Sequence, residues 1–181
     1  HVALIQGERH ISWRDYEDRS ARLAQGLLDT GLGHDSKVGM YLYNSPEYAE
    51  TNFAAMKISG VPINVNYRYL DDELHYLLEN ADIEALVFHS SLGDRVARVC
   101  DRLPMLKVMI CVDDGPAEDG SMGPTTGIPY DTFLSQASGA AKTEPQGDEI
   151  YMLYTGGTTG MPKGVMYPLD GFTEFLSLIH I

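Results

Sequence analysis

Residues 155–164 read Thr-Gly-Gly-Thr-Thr-Gly-Met-Pro-Lys-Gly, the densest run of phosphate-binding chemistry in the chain. Its four glycines let the backbone fold back so that several N–H groups converge on one concavity, the arrangement that holds a phosphate chain. Thr155, Thr158 and Thr159 add neutral hydroxyl donors, and Lys163 adds a single mobile positive charge. Such a charge suits a triphosphate, whose negative charge shifts toward the leaving pyrophosphate as the α-phosphorus is attacked. Pro162 stiffens the approach to the lysine. The order is not that of the Walker loop GxxxxGK[ST], where lysine directly follows glycine and precedes Ser or Thr. Here Pro162 precedes Lys163 and Gly164 follows it, which removes support from GTPase and kinase readings.

A loop of this kind needs rigid elements on either side, and the chain supplies them in alternation. Residues 150–154 read as a strand running straight into the loop, with the apolar Val165 and Met166 beyond it. Upstream, 2–6 and 9–12 flank Gly7-Glu8 as a hairpin, and Ser12 with Asp15 makes a capping-box-like helix start. Tyr16, Leu23, Ala24, Leu27 and Leu28 trace that helix's apolar stripe, which Gly31 and Gly33 end. A strand over 37–43 follows. Ser45 then caps a second helix, with Pro46 at its first position, Glu47 against the positive end of its dipole, and Ala49, Asn52, Phe53 and Met56 as its expected stripe. Strands over 61–65, 85–88 and 106–112 alternate with helices over 71–81 and about Leu92, Val96, Val99, Cys100 and Leu103. The pattern predicts an α/β fold, a layered domain with a mostly parallel sheet and ligands at the strand C-terminal ends. Residues 113–148 shift to Gly, Pro, Ser, Asp and Glu, with a short helix only over 130–137, and read as a surface excursion without visible chemistry.

Composition narrows the function classes further. The 181 residues are 44% hydrophobic, enough for one ordinary core. Thirteen basic against 26 acidic residues give a formal net charge of −13, which repels nucleic acid and anionic membranes, so a polyanionic ligand must be held locally. Cys100 and Cys111 are expected as buried free thiols, and the six histidines fall into no metal-ligand spacing. A reducing, cytoplasmic setting is expected, with no integral membrane segment and no signal peptide.

The loop resembles the phosphate-binding signature of the adenylate-forming superfamily, which includes acyl-CoA synthetases, luciferases and nonribosomal-peptide adenylation domains. Further matching residues are Ser12-Trp13, Asn44-Ser45-Pro46-Glu47, Gly60-Val61-Pro62-Ile63-Asn64, and Tyr67-Arg68-Tyr69 before Glu73-Leu74, so that the likeness covers essentially residues 1 to 167. The chain looks most like AMP-forming acyl-CoA synthetases, and its Gly156-Gly157 pair with residues 64–69 looks most like the actinobacterial fatty-acid and steroid side-chain branch. The resemblance implies that Thr155, Gly156, Gly157, Thr158, Thr159, Gly160, Lys163 and Gly164 line the ATP phosphates, with Lys163 the catalytic charge and Thr155 near Mg²⁺. Many members carry Ser or Thr where this chain has Gly156, so one hydroxyl is lost here and a weakened phosphate contact is expected.

The implied activity is conversion of a carboxylic acid and ATP to acyl-AMP and then, with CoA, to a thioester. ATP, Mg²⁺ and CoA are the implied cofactors, and a homodimer is a candidate assembly of the full-length form. Two rivals stand beside it: an amino-acid or aryl-acid adenylating domain that loads a carrier protein, and a non-catalytic nucleotide-binding module. The chain is expected to be the N-terminal portion of the AMP-binding domain over 1–175, cut after the phosphate loop and inactive by itself. Residues 176–181 match the translation of a sequencing-library adapter and are expected not to be native.

Overall fold

The first helix begins where the sequence places its cap. Ser12 Oγ accepts the Asp15 N–H at 3.2 Å and donates to the Asp15 carboxylate at 2.7 Å, which satisfies one of the unpaired amides of the first turn. The computed structural model describes residues 1–115, 126–142, 146–155 and 161–170. Before that helix, β1 (Val2–Gln6) and β2 (Arg9–Ser12) form an antiparallel hairpin turned at Gly7, whose φ is +58°. The helix itself, α1 (Trp13–Asp29), ends at Gly31, where φ is +81°, a conformation glycine adopts without steric cost. Leu23, Ala24 and Leu27 are buried as expected, whereas Leu28 lies on the outer face, 40% exposed.

Strand and helix then alternate: β3 (Lys37–Tyr41), α2 (Pro46–Lys57), β4 (Val61–Asn64), α3 (Asp71–Asn80), β5 (Ala85–His89), α4 (Gly93–Val99) and β6 (Val108–Val112). After them come β7 (Ile128–Pro129), α5 (Tyr130–Gln136), β8 (Ile150–Thr155) and β9 (Lys163–Pro168). The seven strands from β3 onward make one sheet ordered β7-β6-β5-β3-β4-β8-β9, parallel throughout except for the antiparallel β8–β9 pair. The α/β reading with a mostly parallel sheet is therefore correct.

Alternate strand residues serve two cores. Val38, Met40, Ala85, Val87 and Ile110 pack with α1, α2 and α5 on one face. Tyr41, Ile63, Leu86 and Phe88 pack with α3 and α4 on the other. Leu23, Leu27, Leu74 and Leu77 are wholly buried, each such side chain contributing about 1.5–3 kcal/mol.

Three expectations need correction. The buried face of α2 is not Ala49, Asn52, Phe53 and Met56, which are half-buried, but Glu47, Glu50, Thr51, Ala54, Ala55 and Lys57. Its charges tolerate burial because each has a partner: Glu47 with Arg9 at 2.7 Å, Glu50 with Arg19 at 2.9 Å, and Lys57 with Glu17 at 2.6 Å. The surface excursion is only partly one. Within it β7 extends the sheet beside β6, and Tyr130, Phe133 and Leu134 of α5 enter the core. Cys100 and Cys111 are free but half-buried, because each sits at the margin of a core rather than inside it.

Candidate functional site

The route of the chain through the sheet creates a crevice. From β3 the chain crosses through α2 on one face to β4, and from β4 it returns through α3 on the opposite face to β5. Where neighbouring parallel strands send their connections to opposite faces, their C-terminal ends part and leave a ligand-sized gap. A cleft of about 450 Å³ lies there. Its walls come from residues directly after the strands, among them Asn44, Asn66 and Tyr67, together with Asn64 and Tyr154 of β4 and β8 and Tyr48 of α2. Among the described residues the lining carries amide and phenol groups and no charged side chain.

The wall formed by residues 66–69 is held from behind. Tyr41 Oη donates to the Tyr69 carbonyl at 2.9 Å, and the Arg95 guanidinium of α4 donates to the Tyr67 carbonyl at 2.9 Å and to Tyr41 Oη at 3.3 Å. Burial pushes the Tyr41 phenol above its usual range, and the hydrogen bond and charge of Arg95 pull it part of the way back. On the neighbouring strand end, the buried His89 accepts the Tyr43 N–H at Nδ1, 3.0 Å away, and its ring stacks on Tyr43, which in turn meets Tyr67. Arg68 is exposed over the Tyr67 ring.

Thr155 and Lys163, two of the phosphate-loop residues predicted from sequence, lie at the same end of the sheet. Because β8 runs parallel to β4, its last residue, Thr155, points the chain toward the cleft end. Thr155 pairs directly with Lys163, the first residue of β9, so these two form the base from which the loop departs. Both are exposed. Gly156, Gly157, Thr158, Thr159 and Gly160 lie outside the described residues. Gly164, the last of the predicted residues, pairs with Tyr154, and a Cβ added to it would lie 3.1 Å from that ring. Gly164 therefore has a packing reason to be glycine.

For Mg²⁺, Thr155 offers one neutral oxygen, the hard donor type the ion prefers, and no group of three or more acidic, His or Cys side chains able to hold a metal occurs among the described residues. This donor set fits an ion held chiefly by phosphate oxygens. Sequence reasoning placed ligands at the strand C-terminal ends, where the cleft lies, but did not single out Tyr154. The available signal was the placing of tyrosines and asparagines at strand ends, at 43–44, 64–69 and 154.

With this geometry established, the comparison with known proteins is decisive: the family model described as AMP-binding enzyme matches residues 1–180. The chain belongs to the AMP-binding enzyme family. It is 41% identical over 167 residues to a 3-oxocholest-4-en-26-oate–CoA ligase of Rhodococcus rhodochrous, covering 92% of this chain and 30% of that protein. It is 39% identical over 167 residues to a medium/long-chain-fatty-acid–CoA/3-oxocholest-4-en-26-oate–CoA ligase of Mycolicibacterium smegmatis, again over 92% of this chain and 30% of the relative. The fold is shared with the anthranilate CoA ligase AuaEII, solved with anthranoyl-AMP, at a TM-score of 0.79 and 21% identity over 93% of this chain and 32% of that one. This AMP-binding chain thus spans about 30% of the length of the relatives it matches, and the likeness to the actinobacterial fatty-acid and steroid-acid branch is borne out. No helix among the described residues is long and apolar enough to cross a membrane.

Proposed function

We propose that the full-length protein carrying this chain is an AMP-forming acyl-CoA ligase acting on a fatty or steroid side-chain carboxylic acid, in the cytoplasm. One observation carries the reading. The Thr/Gly/Lys loop springs from the paired Thr155 and Lys163 at the cleft side of a parallel sheet, in a chain 41% identical to a steroid-acid CoA ligase.

In the first step a carboxylate oxygen of the acid bonds to the α-phosphorus of ATP as the bond to the β-phosphate oxygen breaks, releasing pyrophosphate. In the second the CoA sulfur, its proton lost, bonds to the acyl carbon and AMP leaves. Neither step needs a protein nucleophile. Lys163 supplies positive charge to the departing pyrophosphate, an interaction that strengthens as the negative charge develops and so stabilises the transition state more than the ground state. The backbone donors and hydroxyls of residues 155–160 hold the phosphate chain, and Gly156 contributes an N–H where relatives with Ser or Thr add a hydroxyl. The Thr155 hydroxyl would offer a ligand to Mg²⁺, which would supply neutralisation of phosphate charge. The 181-residue chain alone makes no thioester.

The test is carboxylate-dependent ATP–pyrophosphate exchange by the full-length protein with fatty and steroid acids, beside a Lys163→Ala control. Exchange is expected with at least one acid, and Lys163→Ala is expected to lower kcat/KM for ATP roughly 10²–10³-fold, the scale for removing one transition-state donor. Absence of exchange with every acid refutes the function, and exchange untouched by Lys163→Ala refutes the role of the lysine.

A further inference from the structure

The hairpin that bears Thr155 and Lys163 is attached to the parallel sheet by little backbone pairing. Among the described residues the β4–β8 register is the single pair Ile63↔Met152, near the middle of β8. Beyond Met152, toward the loop, β8 pairs among the described residues with its own hairpin partner β9 alone. Side-chain packing therefore shares in fixing the direction in which the loop base points: Met152 lies in the core with α3, and Ile150 and Tyr154 pack against it.

Tyr154 is the side chain placed to do so. It directly precedes Thr155, and its Oη donates to the Asn80 Oδ1 at 2.8 Å, reaching from β8 to the last residue of α3. Its ring also lies across Gly164, which directly follows Lys163, so closely that a Cβ there would stand 3.1 Å from Cζ and 3.2 Å from Cε2. The same ring borders the cleft. One residue thus grips both strands immediately below the loop base, bonds the pair to α3, and forms part of the cleft wall.

Resting on the adenylating reading above, we propose that Tyr154 is a positioning residue, which through its hydroxyl bond to Asn80 sets the aim of Thr155 and Lys163 at the ATP phosphates. Without that bond the upper half of the hairpin swings about the Ile63↔Met152 pair, and Lys163 spends less time where the pyrophosphate charge develops. A small angular error at the base becomes a larger displacement at the lysine amine, and geometric precision of this order governs rate.

The experiment uses the full-length protein as wild type, Tyr154→Phe, Asn80→Ala and the double variant. Tyr154→Phe keeps the ring on Gly164 and loses only the hydroxyl. Hydrogen–deuterium exchange is read first: amides of β8 and β9 are expected to exchange about fivefold faster in either single variant, the equivalent of one neutral hydrogen bond, with β3, β5 and β6 unchanged. In pyrophosphate exchange, kcat/KM for ATP is expected to fall about fivefold in each single variant and no further in the double, while the KM for the acid holds. Unchanged amide exchange in β8 and β9 overturns the tie. Faster amide exchange with unaltered kcat/KM for ATP overturns the positioning role and leaves a structural bond. Additive losses in the double variant overturn the claim that the two act through one contact. A wild type silent toward every acid counts against the function, whereas the amide measurement judges Tyr154 regardless.

Discussion

Replacing Arg19 by alanine strikes the most heavily loaded polar contact in the interior. Glu50 has a side chain with no exposure, and its carboxylate receives Arg19 Nε at 2.9 Å and the Tyr130 hydroxyl at 2.8 Å. Burial pushes the Glu50 carboxyl above its usual range, and the hydrogen bond and charge of Arg19, with the hydroxyl of Tyr130, pull it only part of the way back. Arg19 also reaches Asp131 at 3.0 Å, but that carboxylate is 83% exposed, so this leg adds no more than about 1 kcal/mol. Arg19→Ala leaves a buried carboxylate with a single neutral donor, and the expected loss is about 3–5 kcal/mol of folding stability. Tyr130→Phe keeps the ion pair and removes one hydrogen bond to a charged acceptor, so about 1.5–3 kcal/mol is expected. The triple variant Arg19→Leu/Glu50→Leu/Tyr130→Phe removes Glu50 together with both of its donors, leaving only the exposed Asp131, and is expected to recover most of the Arg19→Ala loss. Urea unfolding at neutral pH, with slopes compared so that only shifts at constant m are scored, measures all three. An Arg19→Ala loss under about 1 kcal/mol, or a triple variant no better than Arg19→Ala, refutes the view that an uncompensated buried charge dominates.

Two further perturbations address the site's surroundings. Gly164→Ala sets a Cβ 3.1–3.3 Å from the Tyr154 ring, and a loss of about 1 kcal/mol is expected in thermal unfolding, vanishing in a Tyr154→Ala background. His89 is held below the ordinary histidine range chiefly by burial, although Asp114 and Glu47 oppose the shift, and its Nδ1 must be unprotonated to accept the Tyr43 N–H. The unfolded chain therefore binds more protons there, so stability falls as pH drops through about 6.5, by at most about 1.4 kcal/mol per pH unit, and the loss ends below the folded-state pKa. The difference between wild type and His89→Gln, measured by urea unfolding from pH 7.5 to 5, should show that slope; parallel curves would contradict it.

The alternation of strands and helices was legible because each element carries its own signal, as at Ser12, Ser45-Pro46 and the leucines of α3. The loop reading likewise rests on local chemistry, ten consecutive residues of which 156–160 lie outside the described structure. What stayed hidden depended on partners far along the chain. The inward face of α2 reads as solvent-facing until Glu47, Glu50 and Lys57 are matched with Arg9, Arg19 and Glu17 from β2 and α1. Ile128–Pro129 is too short for a strand pattern, and Tyr130 follows a Gly/Pro-rich stretch, so neither announced its place beside β6 and Glu50. Tyr154 looked like an ordinary strand tyrosine, since Asn80 and Gly164 come to it only through the fold.

The single Ile63↔Met152 bridge also bears on how the molecule assembles. β3, β4, β5 and β6 are consecutive in the chain, each joined to the next through one helix, so their pairing closes short loops at small entropic cost. The β8–β9 hairpin forms from neighbouring residues too, but it must find β4 across the whole stretch that holds α3 to α5. Contact order thus favours a scaffold that condenses early and a β8–β9 hairpin that docks late. The corner that would bind nucleotide is then joined to the sheet by less backbone pairing than β3, β4, β5 and β6 share with one another.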